Sequence, residues 1–382
     1  MSAAVAFYTP LKHPFERAPS GDREIARSLM RGLRACGYAP ELASRVLTWR
    51  RQFDPADAVR LERRAALAAA RLIRRYRRRP PGARPCLWMT YQNYHRCPDL
   101  VGPVVATALE VPYVVVDSAL STRSRRTPFR PWVSAARLAV RRADAIFAMS
   151  ERDLPGLARF RGPRFAAQRL HLLPPAVDLA RFDADAAARA RHRMALAARV
   201  PVPDGPLLLC VAMMRAADKL DSYRLLAEAL GGIRAPWRLV VVGDGPARAD
   251  VEAALARLPA ARVAVLGAVE AEALAPLYLG ADVFVFPGLG EALGLVYLEA
   301  AAARLPVVAC AGPGPRATMA PGGGLLTEAT AAACGEAVAA LLADPARRHA
   351  MGAAARRFVA AERSLAAFDR RLKDGLAALG LP

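Results

Sequence analysis

The sequence has 382 residues, of which 54% are hydrophobic and 23% charged, and this composition excludes an intrinsically disordered chain. The length exceeds what one hydrophobic core usually organises, so we expect two domains. No apolar run reaches the ~18 uncharged residues of a spanning helix, and the N-terminus lacks a basic segment followed by an apolar one, so we predict neither a transmembrane helix nor an export signal.

The six cysteines and five histidines are scattered, without a C-x-x-C pair or a metal-ligand spacing. This pattern is typical of reduced, mostly buried thiols in a cytosolic protein. We therefore expect no disulfide framework and no metal site.

The formal charge of +21 is distributed unevenly. Residues 1–200 hold 37 Lys and Arg against 16 Asp and Glu, whereas the remaining residues hold 18 of each. Genomic base composition explains the preference for arginine over lysine, but it does not explain why acids balance the arginines in one half only. The uneven charge indicates an anionic partner, which the charge alone leaves open as membrane lipid, nucleic acid or a phosphorylated substrate.

Short apolar runs alternate with helical stretches along the whole chain, which is typical of parallel-sheet α/β architecture. A helix is predicted over residues 22–36, ended by Gly37. Strands are predicted at residues 5–8, 87–89, 113–116, 145–149 and 170–173, and then at 207–211, 239–242, 263–266, 283–286 and 307–309. Prolines 174 and 175 and residues 183–206 separate the two series. We predict two doubly wound, Rossmann-like domains with an interdomain cleft, in which ligands bind at the carboxyl ends of strands.

Residues 55–79 are predicted to form one long helix, with arginines on one face (Arg60, Arg64, Arg71, Arg75, Arg78) beside an apolar stripe (Leu61, Ala65, Ala68, Ala69, Leu72, Tyr76). A second basic cluster, Arg123, Arg125, Arg126 and Arg130, is interleaved with Phe129 and Trp132. Such a combination suits an anionic membrane surface. The alternative, a solvated helix face whose stripe packs on the core, stays open for this helix.

The segment with the most chemistry is DVFVFPGLGEALGLVYLEA, residues 282–300. A buried strand is followed by a glycine-rich loop and then by a helix that begins near Gly294, whose free N–H groups suit a phosphate. Glu291 lies in the loop and Glu299 about two turns into the helix. Two carboxylates beside a phosphate site could hold hydroxyls at the two ends of a nucleotide-sugar, although glutamate is also common near helix starts as a dipole partner.

This segment resembles the E-x7-E signature of family 4 retaining glycosyltransferases of the GT-B fold. The strand before Arg215 and Lys219 is similar to the family's strand and diphosphate clamp, with Met213 and Met214 in place of the usual glycine. VVVGDGP at 240–246 resembles the family's V-G-D-G-P turn, and LGAV at 266–269 its L-G-x-V. Residues 299–309 match E-A-x-A-x-G-x-P-V-V-A, except that Arg304 stands where a small residue is usual. The similarity is dense over residues 170–360.

The N-terminal half matches the family less closely. Gly21 follows the first strand, where the family places a flexible glycine loop against the sugar-phosphate, although Ser20 or Asp22 could simply cap a helix there. Asp117 occupies the position where many members have the histidine of T-x-H. Asp117, His13 and His95 are weak substitutes for that histidine.

The resemblance implies domain bounds and a site. It implies an N-terminal acceptor domain over 1–178 to which a C-terminal helix over about 360–382 returns, a linker over 179–206, and a nucleotide-sugar donor domain over 207–359. It implies that Glu291, Arg215 and Lys219 are catalytic. The implied substrate-binding residues are Gly21, Asp117, Gly243, Glu270, Gly290, Gly294, Leu295 and Glu299.

The expected function is transfer of a hexosyl unit, with retention, from a UDP- or GDP-hexose to a glycan or lipid-linked acceptor in envelope polysaccharide or glycolipid synthesis. We expect no cofactor, no required metal and no nucleic-acid partner, because a nucleic-acid binder would leave the Gly243 turn and the two glutamates without a role. The expected location is cytoplasmic, at the inner face of a membrane. The alternatives are a catalytically idle membrane-associated scaffold of this fold and a nucleotide-sugar epimerase.

Overall fold

The structure is a computed structural model that describes residues 2–16, 20–120, 127–160, 169–200 and 205–381. The chain divides into two compact units, each with its own sheet. Unit 1 consists of Met1–Pro174 together with Leu365–Pro382, and unit 2 of Pro175–Ser364.

The sheet of unit 1 is parallel throughout its described pairings, in the order β2-β1-β3-β4-β5-β6. Its strands are β1 (Ala4–Tyr8), β2 (Ala39–Leu42), β3 (Pro85–Tyr94), β4 (Tyr113–Ala119), β5 (Ala145–Ala148) and β6 (Leu170–Leu172). The helices of this unit are α1 (Gly21–Ala35), α2 (Pro55–Arg77), α3 (Gly102–Leu109), α4 (Arg130–Arg142), α5 (Leu154–Phe160) and α14 (Leu365–Ala377). Apolar runs such as Val114–Val116 are wholly buried, as expected of strands covered on both faces.

The sheet of unit 2 is also parallel in its described pairings, in the order β12-β11-β10-β7-β8-β9. Its strands are β7 (Leu207–Val211), β8 (Arg238–Val242), β9 (Val263–Val265), β10 (Val283–Val285), β11 (Val307–Cys310) and β12 (Gly324–Thr327). The helices are α6 (Ala186–Ala197), α7 (Asp218–Gly231), α8 (Arg248–Leu255), α9 (Ala271–Gly280), α10 (Leu295–Ala302), α11 (Pro313–Thr318), α12 (Ala331–Ala343) and α13 (Pro345–Glu362). This strand order is that of a doubly wound fold, whose topological switch point lies between β7 and β10.

The predicted strands are present, but the structure adds two that the apolar pattern missed. β2 has the sequence APEL and β12 has GLLT, and both lie at a sheet edge. Edge strands tolerate proline, glycine and charge because one side of the strand needs no ladder partner. They therefore lack the continuous apolar run that identifies a central strand.

The unit boundaries differ from the predicted domain bounds. The proposed linker contains α6, whose N-cap Asp185 accepts a hydrogen bond from the Ala188 N–H at 2.6 Å, and its described part lies within unit 2. Helix α14 packs on α1 within unit 1, where Asp369 pairs bidentately with Arg31 at 2.5 and 2.8 Å. The first boundary between the units therefore falls between Pro174 and Pro175, and α14 belongs to unit 1 because it packs on α1.

Helix α2 begins where its sequence favours a start, because Asp54 caps the N–H of Ala56 and Pro55 occupies the first turn. Its apolar stripe is buried in unit 1 except for Ala68, which is half-buried, and the five predicted arginines are exposed. The interpretation of Phe129 and Trp132 as membrane-facing aromatics is wrong. Both are at least 96% buried and pack with Phe53 against α2, because aromatic area of that size is most stable away from water. Arg123, Arg125 and Arg126 lie outside the described residues.

All six cysteines are free. Within the described residues, no helix is both long enough and apolar enough to cross a membrane.

Candidate functional site

The candidate donor site lies at the switch point of unit 2. Strands β7 and β10 are neighbours in the sheet, so the loops that follow them leave from the same edge. The loop after β7 carries Arg215 and leads to Lys219 on α7, and the loop after β10 carries Glu291. The strand order therefore brings together residues that lie far apart in the sequence.

The turn after β8 supports the loop that carries Arg215. Gly243 has a φ of 152°, and a Cβ at this position would lie 1.9 Å from the carbonyl oxygen of Ala212. The Met214 N–H donates to the Asp244 carbonyl at 2.9 Å, and the Ala247 N–H donates back to Met214 at 3.0 Å. Only glycine permits this approach of two backbones, so the predicted V-G-D-G-P turn holds the neighbouring loop in place.

The glycine-rich loop after β10 is held against the start of α7. Gly290 has a φ of 67°, and a Cβ there would lie 2.0 Å from an Asp218 carboxylate oxygen. The Ser222 hydroxyl accepts a hydrogen bond from the Leu289 N–H at 2.9 Å. Asp218 and Ser222 were not predicted as site residues, although Asp218 directly precedes Lys219 and Ser222 follows it by three residues, about one helical turn. They position the loop that carries Glu291.

The start of α10 presents free backbone donors. Gly294 is the N-cap in left-handed conformation, with a φ of 65°, and no side chain caps the helix. The first N–H groups of a helix have no intrahelical partner and carry the positive end of its dipole. The N-terminus at Gly294 and Leu295 is therefore suited to an anion.

Lys219 and Glu291 form an ion pair across the two loops. Their side chains are 23% and 14% exposed, and the ammonium also lies 4.8 Å from the centroid of the Phe286 ring. The pKa of Lys219 is lowered to about 8, mainly by burial and in smaller part by the nearby charge of Arg215. The lysine is thus a partly desolvated cation that an incoming anion would stabilise.

Arg215 is exposed at the entrance to this pair. Among the described residues, no carboxylate lies within ion-pair distance of its guanidinium. Its backbone carbonyl accepts the Leu220 N–H at 3.0 Å, which attaches the loop to the first turn of α7. A planar cation that lacks an ion-pair partner in the described part of the chain is available for bidentate contact with phosphate oxygens.

Glu299 projects from the second turn of α10 and is half-buried. Its Oε2 accepts a hydrogen bond at 2.8 Å from the hydroxyl of Tyr278, which is fully buried on α9. The carboxylate raises the pKa of Tyr278 further, in addition to the larger effect of burial. Tyr278 positions Glu299, a role that sequence reasoning missed because it depends on how two helices pack.

Glu270 lies apart from these contacts. It is the exposed N-cap of α9 and follows the loop after β9. That loop is joined to the Gly243 turn by a hydrogen bond of 2.9 Å from the Gly243 N–H to the Gly267 carbonyl. Glu270 is therefore on the same sheet edge as the cluster, but none of the described contacts links it to Lys219 or Glu291.

In unit 1, the predicted Asp117 belongs to a polar network at the carboxyl edge of the sheet. Gln92 and Asp117 stand in neighbouring strands, and both have left-handed backbone, with φ values of 77° and 59°. The Gln92 amide donates to Asp117 at 3.4 Å and to Asp22 at 3.0 Å, and Asp22 pairs with Lys12. Strained backbone of this kind clusters at functional sites.

The pKa of Asp117 is raised to about 7, mainly by burial and in smaller part by the charges of Asp153 and Asp22. Gly21 is the first residue of α1, next to Asp22 of this network, and residues 17–19 before it lie outside the described residues. His13 lies in the loop after β1, and His95 packs between Tyr94 and Phe129. The structure therefore brings Asp117 and the start of α1 together. Gln92 and Lys12 also belong to this network, and the sequence did not indicate them.

The model of the family "Glycosyl transferases group 1" matches residues 205–344, which include all the clustered residues of unit 2. A D-inositol 3-phosphate glycosyltransferase of Xylanimonas cellulosilytica is 34% identical over 222 residues, covering 56% of this chain and 52% of the relative. A GDP-mannose-dependent phosphatidylinositol monomannoside mannosyltransferase of Mycolicibacterium smegmatis is 35% identical over 238 residues, covering 58% and 60%. The matches span somewhat more than half the length of these relatives.

Solved structures match the chain over nearly its whole length. Sucrose-phosphate synthase from Thermosynechococcus elongatus superposes with a TM-score of 0.73 at 21% identity, covering 99% of both chains. HepE of Anabaena in complex with UDP-glucose superposes with a TM-score of 0.72 at 16% identity, covering 98% of this chain and 99% of the other. At these identities the comparison establishes the fold, and it confirms the predicted two-domain α/β GT-B architecture. Residues 205–344 therefore match the group 1 glycosyltransferase family, and the resemblance of the chain to GT-B glycosyltransferases of family 4 is confirmed.

Proposed function

We propose that the protein is a retaining hexosyltransferase that moves a hexose from a UDP- or GDP-sugar to a glycan or lipid-linked acceptor in envelope polysaccharide or glycolipid synthesis. The observation that carries the proposal is the cluster of Arg215, Lys219 and Glu291 at the switch point of unit 2. The matched relatives support the donor class, because one is named for GDP-mannose and a structural neighbour holds UDP-glucose. Unit 2 would bind the donor and unit 1 the acceptor.

In this proposal the protein stabilises the leaving diphosphate electrostatically. Arg215 and Lys219 neutralise the charge that develops as the glycosidic bond breaks, and the N–H groups of Gly294 and Leu295 add donors from the start of α10. Such preorganised charges contribute strongly because the site is partly desolvated. Glu291 orients the hydroxyls of the hexose and Glu299, held by Tyr278, binds the ribose. Gly243 and Gly290 shape the loops, and Glu270 is a further candidate for the base or ribose.

A nucleotide screen tests the donor class. UDP, GDP, ADP and their sugar conjugates are added to the full chain, and the melting temperature is measured. A ligand at 100 times its dissociation constant adds about 2.7 kcal/mol of stability, so the right nucleotide gives a clear shift. Turnover of the stabilising sugar conjugate then distinguishes a transferase from an idle scaffold, and analysis of the released sugar distinguishes transfer from epimerisation.

Transfer is expected to persist in excess EDTA. The proposed counter-charges for the diphosphate are side chains, which a chelator does not remove. Within the described residues, no group of three or more His, Cys, Asp and Glu is arranged to hold a metal ion. The measurement is initial rate with and without EDTA; abolition of transfer, with rescue by Mn²⁺, would show that an ion supplies the charge instead.

The rate should also depend on the protonation of Lys219. Its pKa of about 8 means that the free enzyme loses this cation as pH rises through about 8, so kcat/KM should fall there. Lys219→Arg keeps a charge at every accessible pH and should move the fall to higher pH. If wild type and Lys219→Arg give the same pH profile, the fall in kcat/KM is not caused by deprotonation of Lys219.

We further propose that unit 1 attaches reversibly to an anionic membrane at its inner face, through the exposed face of α2. Arg60, Arg64, Arg71 and Arg75 on this helix and Arg78 at its C-cap are exposed, and so are Val59 and Leu67, at 49% and 58%. Basic residues near an anionic leaflet contribute about 1 kcal/mol each, so four or five support reversible attachment.

Liposome co-sedimentation tests the membrane proposal. Binding should rise with the fraction of anionic lipid and fall with salt. Arg64, Arg71 and Arg78 are the residues to change to serine, because Arg75 stacks on Tyr76 and pairs with Glu41. Exposed Arg234, Arg257 and Arg347 of unit 2 changed to serine make a control of equal charge. Failure of the wild-type chain to bind anionic vesicles at low salt would favour an acceptor free in solution.

A further inference from the structure

A small basic cavity lies at the C-terminal end of α10, the opposite end from the proposed diphosphate site. Its volume is about 170 Å³, and it is lined by Arg189 of α6, Arg304 after α10, and His349 and Ala353 of α13. All four residues belong to unit 2. Neither the family pattern nor the proposed transfer reaction gives this cavity a role.

The guanidinium groups of Arg189 and Arg304 line the cavity, and that of Arg356 lies close enough for its charge to act on Arg189. Arg189 donates to the Ala303 carbonyl at 3.1 Å, and Arg356 donates to the Ala302 carbonyl at 2.8 Å. Arg356 also pairs with Asp183, whose side chain is 67% exposed. In the described part of the chain, no carboxylate lies within ion-pair distance of Arg189 or Arg304. Burial lowers the pKa of Arg189, and the charges of Arg304 and Arg356 lower it further.

The backbone holds Arg304 in an unfavourable conformation. Its φ is 62°, in the left-handed region where glycine is the usual residue. Helix α13 packs closely on this position, since a Cβ on Gly352 would lie 2.0 Å from the Arg304 carbonyl oxygen. A glycine at position 304 would relieve the strain. An arginine there instead adds an exposed positive charge to the cavity wall.

We propose that this cavity is a binding site for a phosphate group, held by Arg189 and Arg304 with His349 at the rim. The guanidinium fork of arginine matches the geometry of phosphate oxygens, and an anion would relieve the mutual repulsion of the three arginines. The volume is below the roughly 300–1,000 Å³ of pockets for whole small molecules, so the site takes a phosphate ion or the phosphoryl end of a larger metabolite.

Titration of the full chain with inorganic phosphate tests the proposal, with sodium chloride at matched ionic strength as the reference. The wild-type chain should bind phosphate and melt at a higher temperature in its presence. Arg304→Gly should fold at least as well, because glycine suits the backbone, yet bind phosphate about tenfold more weakly or worse, as expected for the loss of one charged hydrogen bond. Arg347→Gly, exposed on α13, is the matched charge control and should bind like wild type.

Lys219→Ala distinguishes this cavity from the diphosphate site. Phosphate binding that survives in Lys219→Ala and is lost in Arg304→Gly supports the cavity. Binding that is lost in Lys219→Ala and unchanged in Arg304→Gly overturns the proposal, as does the absence of binding by the wild-type chain at millimolar phosphate. A parallel titration with a hexose 6-phosphate identifies the source, because tighter, Arg304-dependent binding than that of phosphate indicates a phosphorylated metabolite.

Discussion

Lys219→Ala and Arg215→Ala are each expected to lower kcat/KM by a factor that corresponds to about 2–4 kcal/mol of transition-state stabilisation. Both side chains are proposed to meet the diphosphate as it leaves, when its charge is greatest. The Lys219 effect should be the larger of the two, because its ammonium is mostly buried and Arg215 is exposed. Steady-state kinetics with the donor found in the nucleotide screen measure both effects.

Folding should survive both substitutions. Arg215 has no ion-pair partner among the described residues. Lys219→Ala leaves the carboxylate of Glu291, which is 14% exposed, without its ion-pair partner, so the melting temperature should fall while the fold is kept. Arg224→Ala is a suitable control, because Arg224 is on the same helix and pairs only with exposed Asp221 in the described contacts. If kcat/KM is unchanged in Lys219→Ala, Lys219 does not stabilise the leaving diphosphate and the proposed mechanism is wrong.

Glu291→Gln and Glu299→Gln are expected to affect different steps. Glu291→Gln loses the charge that holds Lys219 and the proposed contact with the hexose, so turnover should fall by about two orders of magnitude with a smaller change in nucleotide affinity. Glu299→Gln should mainly weaken nucleotide binding, by roughly 1.5–3 kcal/mol for a charged hydrogen bond. Nucleotide affinity, kcat and melting temperature are measured on the same two proteins.

Tyr278→Phe is the informative control for Glu299. It removes the hydroxyl that holds the carboxylate and leaves the carboxylate itself, so affinity should fall in the same direction but by less. If the two glutamates serve only the helix dipole, Glu299→Gln would instead cost about 0.3–1 kcal/mol of stability with activity retained. Equal nucleotide affinity in wild type and Glu299→Gln would support that structural role.

The sequence alone determined the central strands and the motif loops, because both depend on local information. A run such as 239–242 is apolar along its whole length since a central parallel strand is buried on both faces. Gly243 and Gly290 were recognisable because the backbone conformations they adopt are available to few other residues. The edge strands β2 and β12 were not predicted, because an edge strand needs neither a continuous apolar run nor a glycine in a special backbone conformation.

Only the tertiary structure decided which of these residues meet. Lys219 and Glu291 pair because the chain order of a doubly wound sheet places β7 beside β10, although α7, β8, α8, β9 and α9 lie between these two strands in the sequence. Tyr278 reaches Glu299, and Gln92 reaches Asp117, through packing and strand register that periodicity does not encode. The same holds for Phe129 and Trp132, whose pattern suits an interface and whose neighbours bury them. Periodicity reports whether a side chain is buried or exposed, whereas contacts between distant side chains follow from strand order and helix packing.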